Sequence, residues 1–468
     1  MSWGGSKSAA IYGTCKQPDR QQRWFRDYFT AKLPGSSLHP DSQLPGNSGF
    51  VCPFYFESTK SPAASDRAAT TVRIPLRSAK HHFGATRARG TRPYNEDNYQ
   101  AGIISVPPFC QQPSPRVDTT ELAVREQSEE PSVFYFAVFD GHGGDAASVF
   151  LKDYLHQYIE ATAALFGAED QERRKELQNE LVDAWKEVGG YFRRFRPDFG
   201  LKGAGRKGDG GIAATLSYAF LKADIDFIKN TRPWFLKEEE MPEQLKMGDQ
   251  GEINPFSGGS TASVVLLSSS SAEPYWHPHQ TSTLITAHLG DTRALLCRVS
   301  DGLAVPLTTI HHPSSVSESA RLRRYAAAFV SDAFGEERFG IFANTRSVGD
   351  VTQKRLGVTA EPELTMRELG AGEYAFLVLV SDGVSTVIGD QEICDLVKEC
   401  KTPEEASREL VAFVDEVGDA GDNATALVVR LGGWEHRSEG GEGSLGTAGM
   451  REWRRMDAIE RGSRSRRM

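Results

Sequence analysis

Three features of the sequence predict an α+β fold in which β-sheets pack on one another beneath a cover of helices. Short apolar runs bounded by Gly, Asp or Ser occur at Phe134–Phe139, Thr283–Ala287, Phe376–Val380 and Ala426–Val429. Each has the length and β-branched content of a buried strand. Between them lie stretches long enough and patterned for helices. Strands and helices come in groups rather than in strict alternation, which argues against a parallel βαβ sheet.

Taken in order, the first 80 residues carry more Lys and Arg than acids, many Ser, Ala, Pro and Gly, and no acid before Asp19. That composition fits a mitochondrial transit peptide or, equally, a disordered tail on a cytoplasmic protein. Residues 81–431 read as one domain. A strand is expected at Tyr99–Ile104, then a helix over Asp145–Ala164, with Val149, Leu151, Leu155, Tyr158 and Ile159 as its apolar positions. Further helices are expected over 170–195, 211–229, Gln391–Cys400 and Glu404–Val417. Four polar or helical stretches, 107–131, 160–210, 237–256 and 268–280, read as surface insertions. Residues 432–468, rich in Gly, Ser and Glu and then in Arg, read as a disordered C-terminal tail.

Composition narrows the class. The 468-residue chain has a formal net charge of -9 and a pI near 5.8, the opposite of a general nucleic-acid binder. No stretch approaches the roughly 20 apolar residues of a membrane span. Six cysteines without a CxxC pair fit neither a zinc site nor a disulfide framework, so a reducing compartment is expected.

The informative pattern is where acids fall. Phe134–Phe139 runs into Asp140-Gly141-His142-Gly143-Gly144, Phe376–Val380 into Ser381-Asp382-Gly383, and Thr283–Ala287 towards Gly290-Asp291. Asp422 precedes the Ala426–Val429 strand, and Glu96-Asp97 precedes the one at Tyr99. One Asp-Gly after a strand is usually a turn. Five strand ends with an Asp are a different matter, because carboxylates gathered at one point repel, and hard divalent cations relieve that repulsion. All-oxygen ligation favours Mg²⁺ or Mn²⁺ over zinc.

With these stretches in order, the sequence resembles the type 2C, metal-dependent protein phosphatases (the PPM family). The matching segments are Gly90-Thr-Arg-Pro-Tyr-Asn-Glu-Asp97, Phe136-Ala-Val-Phe-Asp-Gly-His-Gly-Gly144, Gly258-Gly-Ser-Thr-Ala262, Leu289-Gly-Asp-Thr-Arg-Ala294, Asn344-Thr-Arg-Ser-Val-Gly-Asp350, Ala360-Glu-Pro-Glu363, Val380-Ser-Asp-Gly383 and Gly421-Asp-Asn-Ala-Thr425. The resemblance implies an α-β-β-α sandwich, two packed antiparallel sheets flanked by helices, with metals at one end. It implies that Asp140 bridges two ions, with Asp97, Asp382, Asp422 and the Gly141 carbonyl completing their shells and Glu96 in or near them. It gives Arg92 the substrate phosphate and His142 the role of general acid. A metal-activated water would attack the phosphoryl group of a phosphoserine or phosphothreonine protein in line.

Two departures from the family pattern qualify that expectation. Relatives with a third, weaker metal site often have a second acid four residues after the Asp of the DG motif; here Thr386 stands there, so a third ion is left open, with Asp291 available to it. Ile310 replaces an acid before His311 and His312, which read as loop histidines, and Arg346 and Asp350 read as a structural pair near the site. A monomer is expected. The competing reading is a catalytically inactive scaffold of the same fold, which would be expected to have lost metal aspartates or the phosphate arginine; a hydrolase of small phosphate esters is a third.

Overall fold

The computed structural model describes residues 28–33, 56–57, 70–75, 82–110, 132–169, 171–187, 210–231, 233–235, 258–271, 274–323, 329–331, 337–339, 343–418 and 421–465. Its centre is two antiparallel sheets. One runs β14 (Glu363–Leu369), β8 (Ser282–Leu289), β7 (Gly259–Ser269), β6 (Val133–His142) and β5 (Asn98–Ile104), with the short β13 (Val348–Gly349) paired to β7. The other runs β10 (Ala304–Pro306), β9 (Arg293–Arg298), β15 (Tyr374–Val380), β16 (Ala424–Arg430) and β4 (Phe83–Ala88).

Alternation along β6 shows why its sequence is apolar throughout. Phe134, Phe136 and Val138 face the second sheet, where they meet Leu296, Leu377, Leu379 and Leu427. Tyr135, Ala137 and Phe139 point the other way, into a core shared with helices. A strand buried on both faces cannot afford a polar side, so it reads as a continuous run. The same holds for β15, whose seven residues are all buried.

Helices α1 (Ala146–Ala168), α2 (Gln171–Glu187) and α3 (Gly210–Ile228) cover the outer face of the first sheet, α1 through Phe150, Leu151, Leu155 and Tyr158. α4 (Val316–Leu322), α5 (Val351–Lys354) and α6 (Asp382–Ser385) are short helices, and α7 (Asp390–Glu399) and α8 (Pro403–Val417) cover the outer face of the second sheet. α8 begins where Thr402 accepts a hydrogen bond from the Glu405 N–H and Pro403 occupies the first turn. It buries Ala406, Leu410, Phe413 and Val414 against the sheet. Among the described residues no helix is long and apolar enough to cross a membrane.

Four expectations need correction. The segment 432–465 is not a disordered tail. It forms two 3₁₀ turns, at Trp434–His436 and Leu445–Thr447, and helix α9 (Ala448–Ser465). Trp434 is buried against Phe376, and Arg454 and Arg451 pair with Glu392 and Glu399 of α7. Ion pairs to acids on another element leave no hydrophobic periodicity to read. The stretch 160–210 is not all surface insertion, because α1 continues to Ala168 and α2 buries Leu181, Val182 and Trp185; residues 188–209 lie outside the described part. The stretch 268–280 is likewise partly core: Ser268 and Ser269 end β7, and Tyr275 packs edge-on to Phe134 at 4.6 Å between the sheets. Within the first 80 residues, β1 (Tyr28–Leu33), β2 (Phe56–Glu57) and β3 (Thr70–Pro75) form a three-stranded sheet, and β11 (Phe329–Ser331) pairs with β12 (Glu337–Phe339) apart from the two main sheets. The rest of those 80, along with 111–131 and 237–256, lies outside the described residues.

Candidate metal centre

Asp140 sits near the end of β6, opposite Thr261 of β7. Asp291 follows β8 after Gly290, and Asp382 follows β15 and opens α6. These three elements end at one pole of the sandwich, and there Asp140, Asp291 and Asp382 each present an oxygen within 4.8 Å of the other two. The Asp382 N–H reaches Asp140 Oδ2 at 3.4 Å. Asp97 and Asp422 flank this trio from the starts of β5 and β16. Asp97 is buried, its Oδ2 accepting from the Thr425 hydroxyl at 2.7 Å. Asp422 accepts from Arg92 at 2.8 Å.

Asn423 ties this pole together. Its Oδ1 accepts from the Glu96 N–H at 2.8 Å, and its Nδ2 donates to the carbonyls of Arg89 and Tyr94 at 2.8 and 3.0 Å. The Glu96 carboxylate accepts from the Gly144 N–H at 2.7 Å, and its carbonyl accepts from the Ser148 hydroxyl. Gly141 passes so close to Glu96 that a Cβ there would sit 2.6 Å from the Glu96 carbonyl oxygen. Only glycine fits.

Electrostatically the pole is out of balance. Burial, then the neighbouring carboxylates Asp382 and Asp422, push the Asp97 pKa up to about 6. Burial and Asp382 push Asp291 to about 7. Asp140 is raised by burial and by the charges of Asp382, Asp97 and Asp291, and Asp382 by burial and Asp422. Among the described residues no Lys or Arg forms an ion pair with Asp140, Asp291 or Asp382. Asp97 Oδ1 and Asp291 Oδ1 are buried without a hydrogen-bond partner. Buried oxygens without donors are costly, and an all-oxygen set of carboxylates fits a hard divalent cation. These residues fit a metal.

The rim holds the remaining residues singled out by sequence. His142 closes β6, and its Nε2 lies 3.0 and 2.9 Å from the two oxygens of Asp350. Burial opposes the charged imidazole, yet the hydrogen bond and charge of Asp350 leave its pKa raised, while the Asp350 pKa is lowered against its own burial by His142. Arg346 is not the partner of Asp350, as the sequence suggested. It binds Glu318 at 2.7 Å and the Glu361 carbonyl at 2.9 Å. His311 is buried, stacked on His288 at 4.7 Å, with Nδ1 accepting from the Gly290 N–H at 3.0 Å. It fixes the turn that delivers Asp291, whose Oδ2 also accepts from Asn344 at 2.9 Å. The His142–Asp350 contact had no signature beyond Asp350 following Gly349 in the Asn344–Asp350 segment.

Comparison with known proteins agrees with this geometry. A sequence profile of protein phosphatase 2C matches residues 214–421. The chain is 33% identical over 371 residues to protein phosphatase 2C homolog 4 of Schizosaccharomyces pombe, covering 78% of this chain and 84% of that one. It is 29% identical to the mitochondrial protein phosphatase 1K of Xenopus laevis, over 68% and 69% of the two chains. To the integrin-linked kinase-associated serine/threonine phosphatase 2C of Bos taurus it is 28% identical, over 64% and 67%.

Proposed function

The chain belongs to the protein phosphatase 2C family, and on that premise we propose that it is a Mg²⁺- or Mn²⁺-dependent phosphatase of phosphoserine and phosphothreonine proteins. One observation carries this reading: Asp140, Asp291 and Asp382 converge, and among the described residues no Lys or Arg forms an ion pair with them. In this reading Asp97, Asp140, Asp382, Asp422 and the Gly141 carbonyl would hold two ions, with Glu96 and Asp291 beside them. A bound pair of such ions supplies a water whose pKa falls from 15.7 towards about 7, together with positive charge beside the phosphoryl oxygens.

The chain's own groups do the rest. Arg92 is more than half exposed and its partner Asp422 is also accessible, so its guanidinium can swing to a phosphate and bond two oxygens at once. His142, at the rim, gives a proton to the departing serine or threonine oxygen, because alkoxide is a poor leaving group. Retention of Asp97, Asp140, Asp382, Asp422, Arg92 and His142 favours an active enzyme over an inert scaffold. Residence in mitochondria is proposed from the basic, acid-poor first 80 residues and from the name of the Xenopus relative. A reporter fused to those residues tests it, and diffuse cytosolic signal would count against it.

The assay is release of phosphate from a phosphothreonine peptide by the full chain with Mn²⁺, with EDTA, and as Asp140→Asn. Chelation and the substitution should each lower kcat by about 10³-fold or more. Activity that survives both sinks the metal reading. A folded, Mn²⁺-loaded wild type with no activity would establish the scaffold.

A further inference from the structure

The contact between His142 and Asp350 is built from several directions. Asp350 sits in the left-handed region, φ 50°, which among non-glycine residues Asn and Asp adopt most readily. Its N–H donates to the Gly258 carbonyl at 2.9 Å, and Ser347 donates its hydroxyl to the Asp350 carboxylate. The preceding Gly349 N–H donates to Asp224 at 2.8 Å. Asp224 is fully buried and pairs with the equally buried Lys354 at 3.0 Å, while Trp185 donates to it at 3.2 Å. Lys354 in turn donates to the Ser347 carbonyl at 2.8 Å. On the open side lies Gly259. A Cβ there would press on the Asp350 carboxylate and stand 2.6 Å from His142 Nε2. Glycine at 259 leaves the space in which the two side chains meet.

A carboxylate only accepts, so the ring nitrogen facing it is the one that carries a hydrogen. With Nε2–H committed to Asp350, proton exchange falls to Nδ1, which has no hydrogen-bond partner among the described residues, on a side chain 43% exposed. Resting on the general-acid reading of His142, we propose that Asp350 is a positioning residue that fixes this ring so that Nδ1 delivers the proton, and that Gly259 is required to admit the pair. As the phosphorus–oxygen bond breaks, its electron pair stays on the serine or threonine oxygen. That oxygen takes the proton from Nδ1, and the imidazolium becomes neutral imidazole still donating Nε2–H to Asp350.

The test compares two leaving groups in the full chain with Mn²⁺: a phosphothreonine peptide, whose alkoxide needs a proton, and 4-nitrophenyl phosphate, whose phenolate needs little help. Asp350→Gly removes the carboxylate without straining the left-handed backbone. Asp350→Asn, which also tolerates that backbone, serves if the glycine variant does not fold. Gly259→Ala parts the pair while keeping both members. Each should lower kcat on the peptide at least about tenfold beyond its loss on the nitrophenyl ester, with KM within about threefold. Added to His142→Gln, Asp350→Gly should cost nothing more, because the two act as a unit. Equal losses on both substrates, or losses that multiply in the double variant, would overturn the positioning role while His142→Gln keeps its own selectivity. If His142→Gln itself shows no preference between leaving groups, the general-acid reading falls and this one with it.

Discussion

Glu318 is a buried carboxylate and Asp140 a partly buried one, and the fold surrounds them in opposite ways. Glu318 receives Arg321 and Arg346, each at 2.7 Å, and the Thr345 hydroxyl at 2.6 Å. Burial works against its charge, but the two arginines hold its pKa far below the usual carboxylate range. Asp224 with Lys354, and Asp395 with Lys398, follow the same rule of at least one internal cation for each buried acid. At the pole of Asp140 the rule is suspended, and carboxylates face one another. Uncompensated buried charge is among the most expensive things a fold can contain. The contrast teaches where to look for function: paired acids brace the structure, and unpaired acids wait for a cation from outside.

Three measurements can break or sharpen that contrast. The largest effect belongs to the braced side. Glu318→Gln strands two arginines, one of them nearly buried, and should cost about 3–5 kcal/mol in denaturant unfolding. A loss below about 1 kcal/mol would mean that Glu318 is not a brace. The opposite sign is expected at the pole, where Asp291→Asn should stabilise the metal-free chain by about 1–3 kcal/mol at pH 8.

That gain has a pH dependence. With the folded pKa of Asp291 near 7 and Asp97 near 6, against 3.8 for an unperturbed aspartate, the native state binds more protons than the unfolded chain in that window. Metal-free stability therefore contains a term that falls as pH rises from about 4 to 7. Asp291→Asn should lose part of that fall and so converge with wild type only as the pH drops to about 4. A variant less stable than wild type at pH 8 would refute the idea of mutual repulsion. The smallest effect is at the surface. Lys186→Ala removes an exposed pair to Asp183 and should cost under about 1 kcal/mol, less in high salt.

Much of this was legible beforehand, and the exceptions share a cause. The strands at Phe134, Thr283, Phe376 and Ala426 announced themselves because burial on both faces demands unbroken apolar runs. The acids at their ends stood out because each follows or precedes such a run. The pairing of Glu318 with Arg346, or of His142 with Asp350 across 208 residues, leaves no such trace, since an ion pair needs only two residues and no periodicity. Arg346 was accordingly assigned the wrong neighbour. α9 was missed for a related reason. Its composition is that of a tail, and what holds it are arginines meeting Glu392, Glu399 and Glu416. Tyr275, inside a polar stretch, shows that one aromatic residue can bring a segment into the core.

Strand β4 pairs with β16, and the bonds from Asn423 to Arg89, from Thr425 to Asp97 and from Arg92 to Asp422 each join residues more than 320 positions apart. During translation, residues 83–97 leave the ribosome long before the segment that must meet them. Until residues 421–430 emerge, Asp97 has no Thr425 and the second sheet lacks β16, between β15 and β4. The nascent chain is thus barred from assembling the pole early, and a message truncated before Asp422 would yield a polypeptide unable to complete it.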